Sequence, residues 1–392
     1  MKSVIFISLS LFTCYLSSAQ GVWTQKADFG GAARSEAVGF SIGTKGYIGT
    51  GGLNDFWEWD QSANVWTQKT NFGGTLRQQA VGFSIGIKGY IGLGANTTFY
   101  KDFWEWDQAT NIWTQKANFG GTAREGAVGF SIGTKGYIGT GWDTIGAKQD
   151  FWEWDQATNI WTQKANFGGT ARAWAVGFSI GTKGYIGTGG DITGAHNDFW
   201  EWVQSTNVWT QKANFGGTAR EDAAGFSINT KGYIVTGDCG PTWGPKDFWE
   251  WDQTTNIWAQ KANFDGDARN DAVGFSIGNK GYIGTGWQPN GNNYNDFWEY
   301  DPSGMGVNEL NNQISIIVYP NPSSGVFSLV IEKEVKQSHL EIYNMFGKKV
   351  FSLNHLLTQT LIDLSLQPSG VYLYTLQSEN KILSNGKLII SK

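Results

Sequence analysis

The run Asp150-Phe-Trp-Glu-Trp-Asp-Gln-Ala-Thr-Asn-Ile-Trp-Thr-Gln-Lys164 decides the fold. Aromatic and β-branched residues flank a polar Gln-Ala-Thr-Asn stretch, the pattern of two antiparallel strands joined by a tight turn. With Ala157 and Thr158 at the tip, Trp154 falls opposite Trp161 and Phe151 opposite Lys164. A cross-strand tryptophan pair adds ~0.5–1 kcal/mol beyond its burial. The first half of this hairpin recurs from Phe56, Phe103, Phe199 and Phe248, and ends as Phe-Trp-Glu-Tyr from Phe297. The second half recurs from Trp23, Trp66, Trp113 and Trp209, with an alanine variant from Trp258.

Two further segments complete the unit. Gly-Phe-Ser-Ile starts at Gly39, Gly82, Gly129, Gly177, Gly225 and Gly274, and Lys-Gly-Tyr-Ile at Lys45, Lys88, Lys135, Lys183, Lys231 and Lys280. Four strand-like segments thus appear six times each, at spacings of 43 to 49 residues. A four-stranded unit of this length cannot bury both faces alone, so the copies must stack. The expectation is all-β: a six-bladed β-propeller over residues 20–301. The chain enters with the last segment type, so the strand at Trp23 is expected to complete the sixth blade and close the ring.

Composition agrees and narrows the function classes. The 392 residues include 54 Gly, 21 Trp, 24 Phe and 14 Tyr but only 7 Pro, too aromatic for a disordered chain and unlike collagen. Seventeen of the tryptophans lie in the two repeated hairpin segments, which assigns them mainly to the core rather than to a sugar-stacking surface. Two cysteines, Cys14 and Cys239, make no disulfide framework, and three histidines are sparse for metal chemistry. No cofactor or metal site is expected. A net charge of −5 argues against nucleic acid, whose phosphates need clustered cations.

The repeats resemble kelch repeats. An arginine precedes the first strand of each copy (Arg34, Arg77, Arg124, Arg172, Arg220, Arg269), and the aromatic-Asp stretch leads to a later tryptophan, as at Asp155 and Trp161. The family's Gly doublet survives only at Gly51-Gly52 and Gly189-Gly190, and the aromatic before Asp is Trp except at Tyr300. The resemblance implies a kelch-type propeller. Some kelch domains bind acidic peptides through rim arginines, but an arginine in every copy reads better as a tie between adjacent blades, with the acidic residues beside it as partners. The repeated Glu58, Glu105, Glu153, Glu201, Glu250 and Glu299 likewise read as structural, because a catalytic site is normally single. Copper-radical oxidases of this family need several histidines, and the repeat region holds only His196.

The two ends give an address. Lys2, the apolar run Val4 to Leu16 and the small residues Ser17-Ser18-Ala19 form the layout of a secretory signal peptide over residues 1–19. No later segment has the ~18 apolar residues of a membrane span, so no transmembrane segment is expected. After a linker at 302–317, residues 318–392 lose tryptophan and turn to alternating runs such as Val326-Phe-Ser-Leu-Val-Ile331, which read as a small β-sandwich. The motifs Tyr319-Pro-Asn-Pro322, Ile342-Tyr-Asn344, Pro368-Ser-Gly-Val-Tyr372 and Lys387-Leu-Ile-Ile-Ser-Lys392 resemble the C-terminal sorting domain of the type IX secretion system of Bacteroidetes. That resemblance implies the secretion machinery as a partner, removal of the tail, and release or attachment at the outer cell surface.

Differences among the copies locate a working face. The first-to-second and third-to-fourth turns barely change, and up-and-down strands place both on one rim. The opposite rim carries the variable second-to-third loops and the two residues after each arginine. The four tryptophans outside the hairpins, Trp142, Trp174, Trp243 and Trp287, all fall there, as do Glu36, Gln79, Glu221, Asp222 and Asp271. Aromatic rings stack on sugar C–H faces and carboxylates accept from hydroxyls, a combination that suits a glycan and equally a basic peptide. The reading is a secreted, non-catalytic module that binds a glycan or a surface protein, with no catalytic residue assigned. The alternative is a kelch-type sugar epimerase or mutarotase acting on a free sugar in the funnel, with carboxylates as acid and base.

Overall fold

The computed structural model describes residues 20–240, 244–288, 291–304, 316–331, 338–378 and 381–392. The expected signal peptide and Trp243 lie outside the described residues. The chain divides into two compact units, Met1–Met305 and Gly306–Lys392, and regular structure in both is β among the described residues.

Among the described residues the first unit contains six four-stranded antiparallel sheets. In the third repeat, strands Val128–Ile132, Lys135–Gly139, Phe151–Asp155 and Ile160–Gln163 pair in chain order, with Trp154 opposite Trp161. The sixth sheet takes its fourth strand from the other end of the unit. Val22–Gln25 pairs with Phe297–Asp301 and sets Trp23 opposite Tyr300.

Alternation explains how the sheets stack. On the innermost strand Val128, Phe130 and Ile132 are buried, while Gly129 and Ser131 are only half-buried. The buried set packs with Ile186 and Trp202 of the fourth repeat. The corresponding cluster across the ends of the unit joins Val273, Phe275 and Ile277 of the sixth repeat to Ile48 and Trp59 of the first. Close approach demands glycine in Lys-Gly-Tyr: a Cβ on Gly136 would lie 2.4 Å from the ring of Phe83 in the preceding repeat.

The tryptophans divide by position. Trp154 and its equivalents are fully buried, but Trp152 and Trp161 are half-buried and held by their indole N–H groups, which donate to Asp150 Oδ2 and Ala117 O. The repeated glutamates are structural: Tyr137 Oη–H donates to Glu153 Oε2 at 2.7 Å, and the same bond recurs in all six copies.

The arginines correct one expectation. They are buried, and each clamps an aspartate of its own repeat rather than the acidic residues beside it. Arg77 Nη1 and Nη2 donate to Asp102 Oδ1 and Oδ2 at 2.7 and 2.8 Å, Nη1 also reaches Leu93 O, and the guanidinium lies 4.9 Å from the Phe72 ring centre. At the arginines the tie between adjacent repeats is a main-chain one, as where Gly94 N–H donates to Arg124 O, while elsewhere side chains join repeats, as where Gln156 Nε2–H donates to Tyr90 Oη at 2.7 Å. Burial also takes these cations off the rim, so they present nothing to an acidic peptide.

The second unit is two sheets around one apolar core. Ile316–Tyr319, Val326–Ile331 and Gln359–Asp363 form one sheet, and Ser338–Asn344, Lys349–Asn354, Gly370–Ser378 and Lys381–Ile390 the other. Phe327, Leu329 and Ile331 face Leu340, Ile342, Leu376 and Leu388 between them. The first strand crosses the boundary expected at 318.

Candidate functional site

The second residue after each buried arginine occupies one structural position in the six copies: Glu36, Gln79, Gly126, Trp174, Asp222 and Asp271. All six have φ between +50° and +59°. For a side chain other than glycine that left-handed conformation costs about 1–2 kcal/mol, so something must hold it. A cycle of main-chain hydrogen bonds does so. Gln79 N–H donates to Glu36 O (3.0 Å), Gly126 to Gln79 (3.1 Å), Trp174 to Gly126 (2.8 Å), Asp222 to Trp174 (3.1 Å), Asp271 to Asp222 (3.0 Å) and Glu36 to Asp271 (3.2 Å). The cycle returns to its start.

These six residues rim a cavity of about 170 Å³ floored by the alanines that follow them, Ala37 among them. A second cavity of about 160 Å³ is lined by Ala-Val-Gly triplets at the innermost strands, replaced by Ala223-Ala224-Gly225 in the fifth repeat. The rim has two unlike arcs. In one, Trp174 Nε1–H donates to Gln79 Oε1 at 2.9 Å, and Gln79 Nε2–H donates to Glu36 Oε1 at 2.8 Å. The Trp174 indole stacks on Trp142 with ring centres 5.7 Å apart. It lies so close to Gly126 that a Cβ there would come within 2.8 Å of it.

The other arc is acidic. Asp222 and Asp271 are hydrogen-bonded to each other through their side chains, with Glu36 beside them. Among the described residues, no lysine or arginine forms an ion pair with any of these three. Burial, then the Asp271 charge, raises the Asp222 carboxyl well above the usual carboxylate range. Burial and the Glu36 charge push Asp271 up to about 7. Glu36 is raised by burial against the opposing hydrogen bond from Gln79. With both carboxyls raised and in contact, the pair is expected to hold one proton near neutral pH.

Of the residues singled out from sequence, Glu36, Gln79, Trp174, Asp222 and Asp271 meet at this cavity, and Trp142 backs Trp174. Glu221 is not in the lining; its Oε2 sits against Gly190, where a Cβ would lie 2.1 Å away. Trp287 takes the position equivalent to Trp142, bridging Asn270, and is also outside the lining. Gly126, the only glycine among the six equivalents, and Glu125, whose carboxyl is raised by burial and by Glu36, follow Arg124 on the variable rim but are not among the binding residues named from sequence. His196 faces Asp191 at 3.0 Å, and burial pushes the Cys239 thiol up, away from nucleophilic character. Among the described residues no group of three or more His, Cys, Asp or Glu could hold a metal ion.

Comparison with known proteins adds the address and the fold. Residues 317–391 match the secretion system C-terminal sorting domain family. A type IX sorting domain marks the protein for export, so it is secreted or carried on the cell surface. No helix among the described residues is long and apolar enough to cross a membrane. No curated protein matches the chain. Among solved structures, one titled "Structure of YjhT" aligns with a TM-score of 0.61 at 16% identity, over 69% of this chain and 95% of that one. At that identity the likeness shows fold alone: a propeller-like arrangement of repeated four-stranded sheets.

Proposed function

We propose that residues 20–301 form a six-bladed kelch-type propeller closed by the N-terminal strand, and that it works outside the cell as a non-catalytic binding module for a glycan or a surface protein. In this reading residues 1–19 are a signal peptide and residues 318–392 engage the type IX machinery. The pairing of Val22–Gln25 with Phe297–Asp301 supports closure. The observation that carries the binding role is the meeting of five of the most divergent positions at one cavity: Glu36, Gln79, Trp174, Asp222 and Asp271. The remaining strands barely change between copies. Divergence confined to one rim is the pattern of loops that carry recognition on a rigid scaffold.

The test is a panel of glycans and surface proteins probed with the full chain and with Trp174→Ala. Stacking on an indole contributes on the order of 1 kcal/mol, so the variant is expected to bind its ligand several-fold more weakly. Equal binding by both proteins rejects the cavity as the site. One observation favours a second reading. The proton shared by Asp222 and Asp271 near pH 7 is also what an epimerase or mutarotase acting on a free sugar would use. Accelerated anomeric or epimeric exchange by NMR, lost in Asp271→Asn, would decide for it.

A further inference from the structure

We propose that the rim cavity recognises a protonated primary amine, held between the carboxyls of Asp222, Asp271 and Glu36 and the indole of Trp174. This rests on the cavity being the binding site, as argued above, and names the chemistry of its ligand.

The argument begins with charge balance elsewhere in the unit. The Arg–Asp clamp gives Asp55, Asp102, Asp150, Asp198, Asp247 and Asp296 a buried guanidinium each. Glu58, Glu105, Glu153, Glu201, Glu250 and Glu299 each have a lysine within 4 Å. In the loops, Asp143 pairs with Lys148 and Asp191 with His196. The sequence thus supplies a cation to every one of these carboxylates. At the rim cavity it supplies none, and it places three carboxyls on consecutive members of the hydrogen-bonded cycle, Asp222, Asp271 and Glu36. A half-buried carboxyl cluster without a counter-ion is costly, and a cation from outside removes that cost.

Three features select an ammonium group over other cations. The lining also includes the indole of Trp174, a ring of the kind that attracts an ammonium and packs on the C–H groups of its stem. The indole is fixed by Gln79 and Trp142 rather than free to turn away. The cavity, at about 170 Å³, is smaller than the ~300 Å³ at which pockets for drug-sized ligands begin, so it admits one side-chain-sized group. A primary ammonium offers three donors, matching three carboxyls. Outside the lining, but near enough to act on its carboxyls by charge, are Glu125, Glu221 and Asp238, with His196 beyond Glu221. Every one of these but His196 is acidic, so the field at the cavity favours a cation throughout.

An amine of this kind is carried by a lysine side chain or by an amino sugar, and the experiment separates the two. The full chain is titrated by calorimetry with Nα-acetyl-lysine methylamide, glucosamine, their N-acetylated neutral counterparts and calcium chloride. Binding of at least one amine is expected, weakened tenfold or more by its acetylation and by Asp271→Asn, and several-fold by Trp174→Ala. Affinity is expected to rise from pH 5 to pH 8, because the incoming cation displaces the shared proton. A cooperative melting transition in both variants, no lower than the parent's for Asp271→Asn and only slightly lower for Trp174→Ala, guards against misfolding. Equal binding of glucosamine and its acetylated form overturns the amine while leaving the cavity as a glycan site. Tighter binding of calcium than of either amine, lost in Asp271→Asn, overturns it in favour of a metal. Binding by neither amine overturns it outright, and the panel with Trp174→Ala then decides whether the cavity binds anything.

Discussion

Two sets of carboxyls in the same repeated framework behave in opposite ways. The clamp aspartates Asp55, Asp102, Asp150 and Asp198 would be raised by burial, but hydrogen bonds from arginine and tryptophan side chains bring them below the usual carboxylate range. The rim carboxyls Glu36, Asp222 and Asp271 are raised, because burial meets only other carboxyls and a glutamine. The Arg–Asp pair recurs in every copy, and the rim set exists only because the copies diverged. Repetition here builds the scaffold, and its breakdown at one position per repeat builds the site.

That contrast can be tested from its strongest element downward. Deleting residues 20–30 removes the strand that pairs with Phe297–Asp301 and takes Trp23 out of its contacts with Phe248, Phe264 and Tyr300. The loss is expected to exceed the ~3–5 kcal/mol of a single buried Trp→Ala change and to expose an unpaired sheet edge. Melting and aggregation measurements check it, and a truncated protein with the parent's melting temperature would show that the first strand closes nothing.

Next comes the clamp itself. Arg172→Ala leaves Asp198 without its cation in a buried setting, which is expected to cost about 3–5 kcal/mol in denaturant unfolding. A cost below about 1 kcal/mol would place the clamp with ordinary surface ion pairs.

The rim should respond with the opposite sign. Asp271 has a folded value of about 7 against 3.8 for the free side chain, so its contribution to stability is fully present below about pH 4. It is then lost as pH rises towards 7. Asp271→Asn removes this slope, and its advantage over the parent is expected to grow between pH 4 and pH 7 and level off above. Allowing for solvent screening of a half-buried group, the gain at pH 8 is on the order of 1 kcal/mol, or about 2–4 °C in Tm. Asp55, Asp102, Asp150 and Asp198 slope the other way, holding their contribution above the free-side-chain value and losing it as pH falls. A Tm difference independent of pH would refute the shared proton. The smallest effect on stability is expected from Trp174→Ala, below about 1 kcal/mol, whereas Trp154→Ala costs about 3–5 kcal/mol because its indole is fully buried. Comparable losses would make Trp174 a core residue rather than a binding one.

Much of the scaffold could be read from residues alone. The hairpin register at Trp154 and Trp161, the four-strand unit and the structural role of Glu153 follow from period-two alternation and recurrence, which act over a few neighbouring residues. The clamp was legible only in part. Arg77 and Asp102 lie 25 positions apart, and local acidic residues offered a nearer but mistaken partner.

The site was legible as a list and not as an arrangement. Divergence among copies picked out Glu36, Gln79, Trp174, Asp222 and Asp271, because a repeat provides its own internal standard for change. Their meeting depends on how six sheets converge, which brings Trp174 within 2.9 Å of Gln79 across 95 residues of chain. The same convergence joins Asp222 to Asp271 and leaves Glu221 and Trp287 outside the lining. Sequence by itself determined the strands and their repetition, since those follow from local alternation and turn chemistry. Only the tertiary structure decided which carboxyls face one another without a cation, because electrostatic coupling depends on distance through space and on exclusion of water.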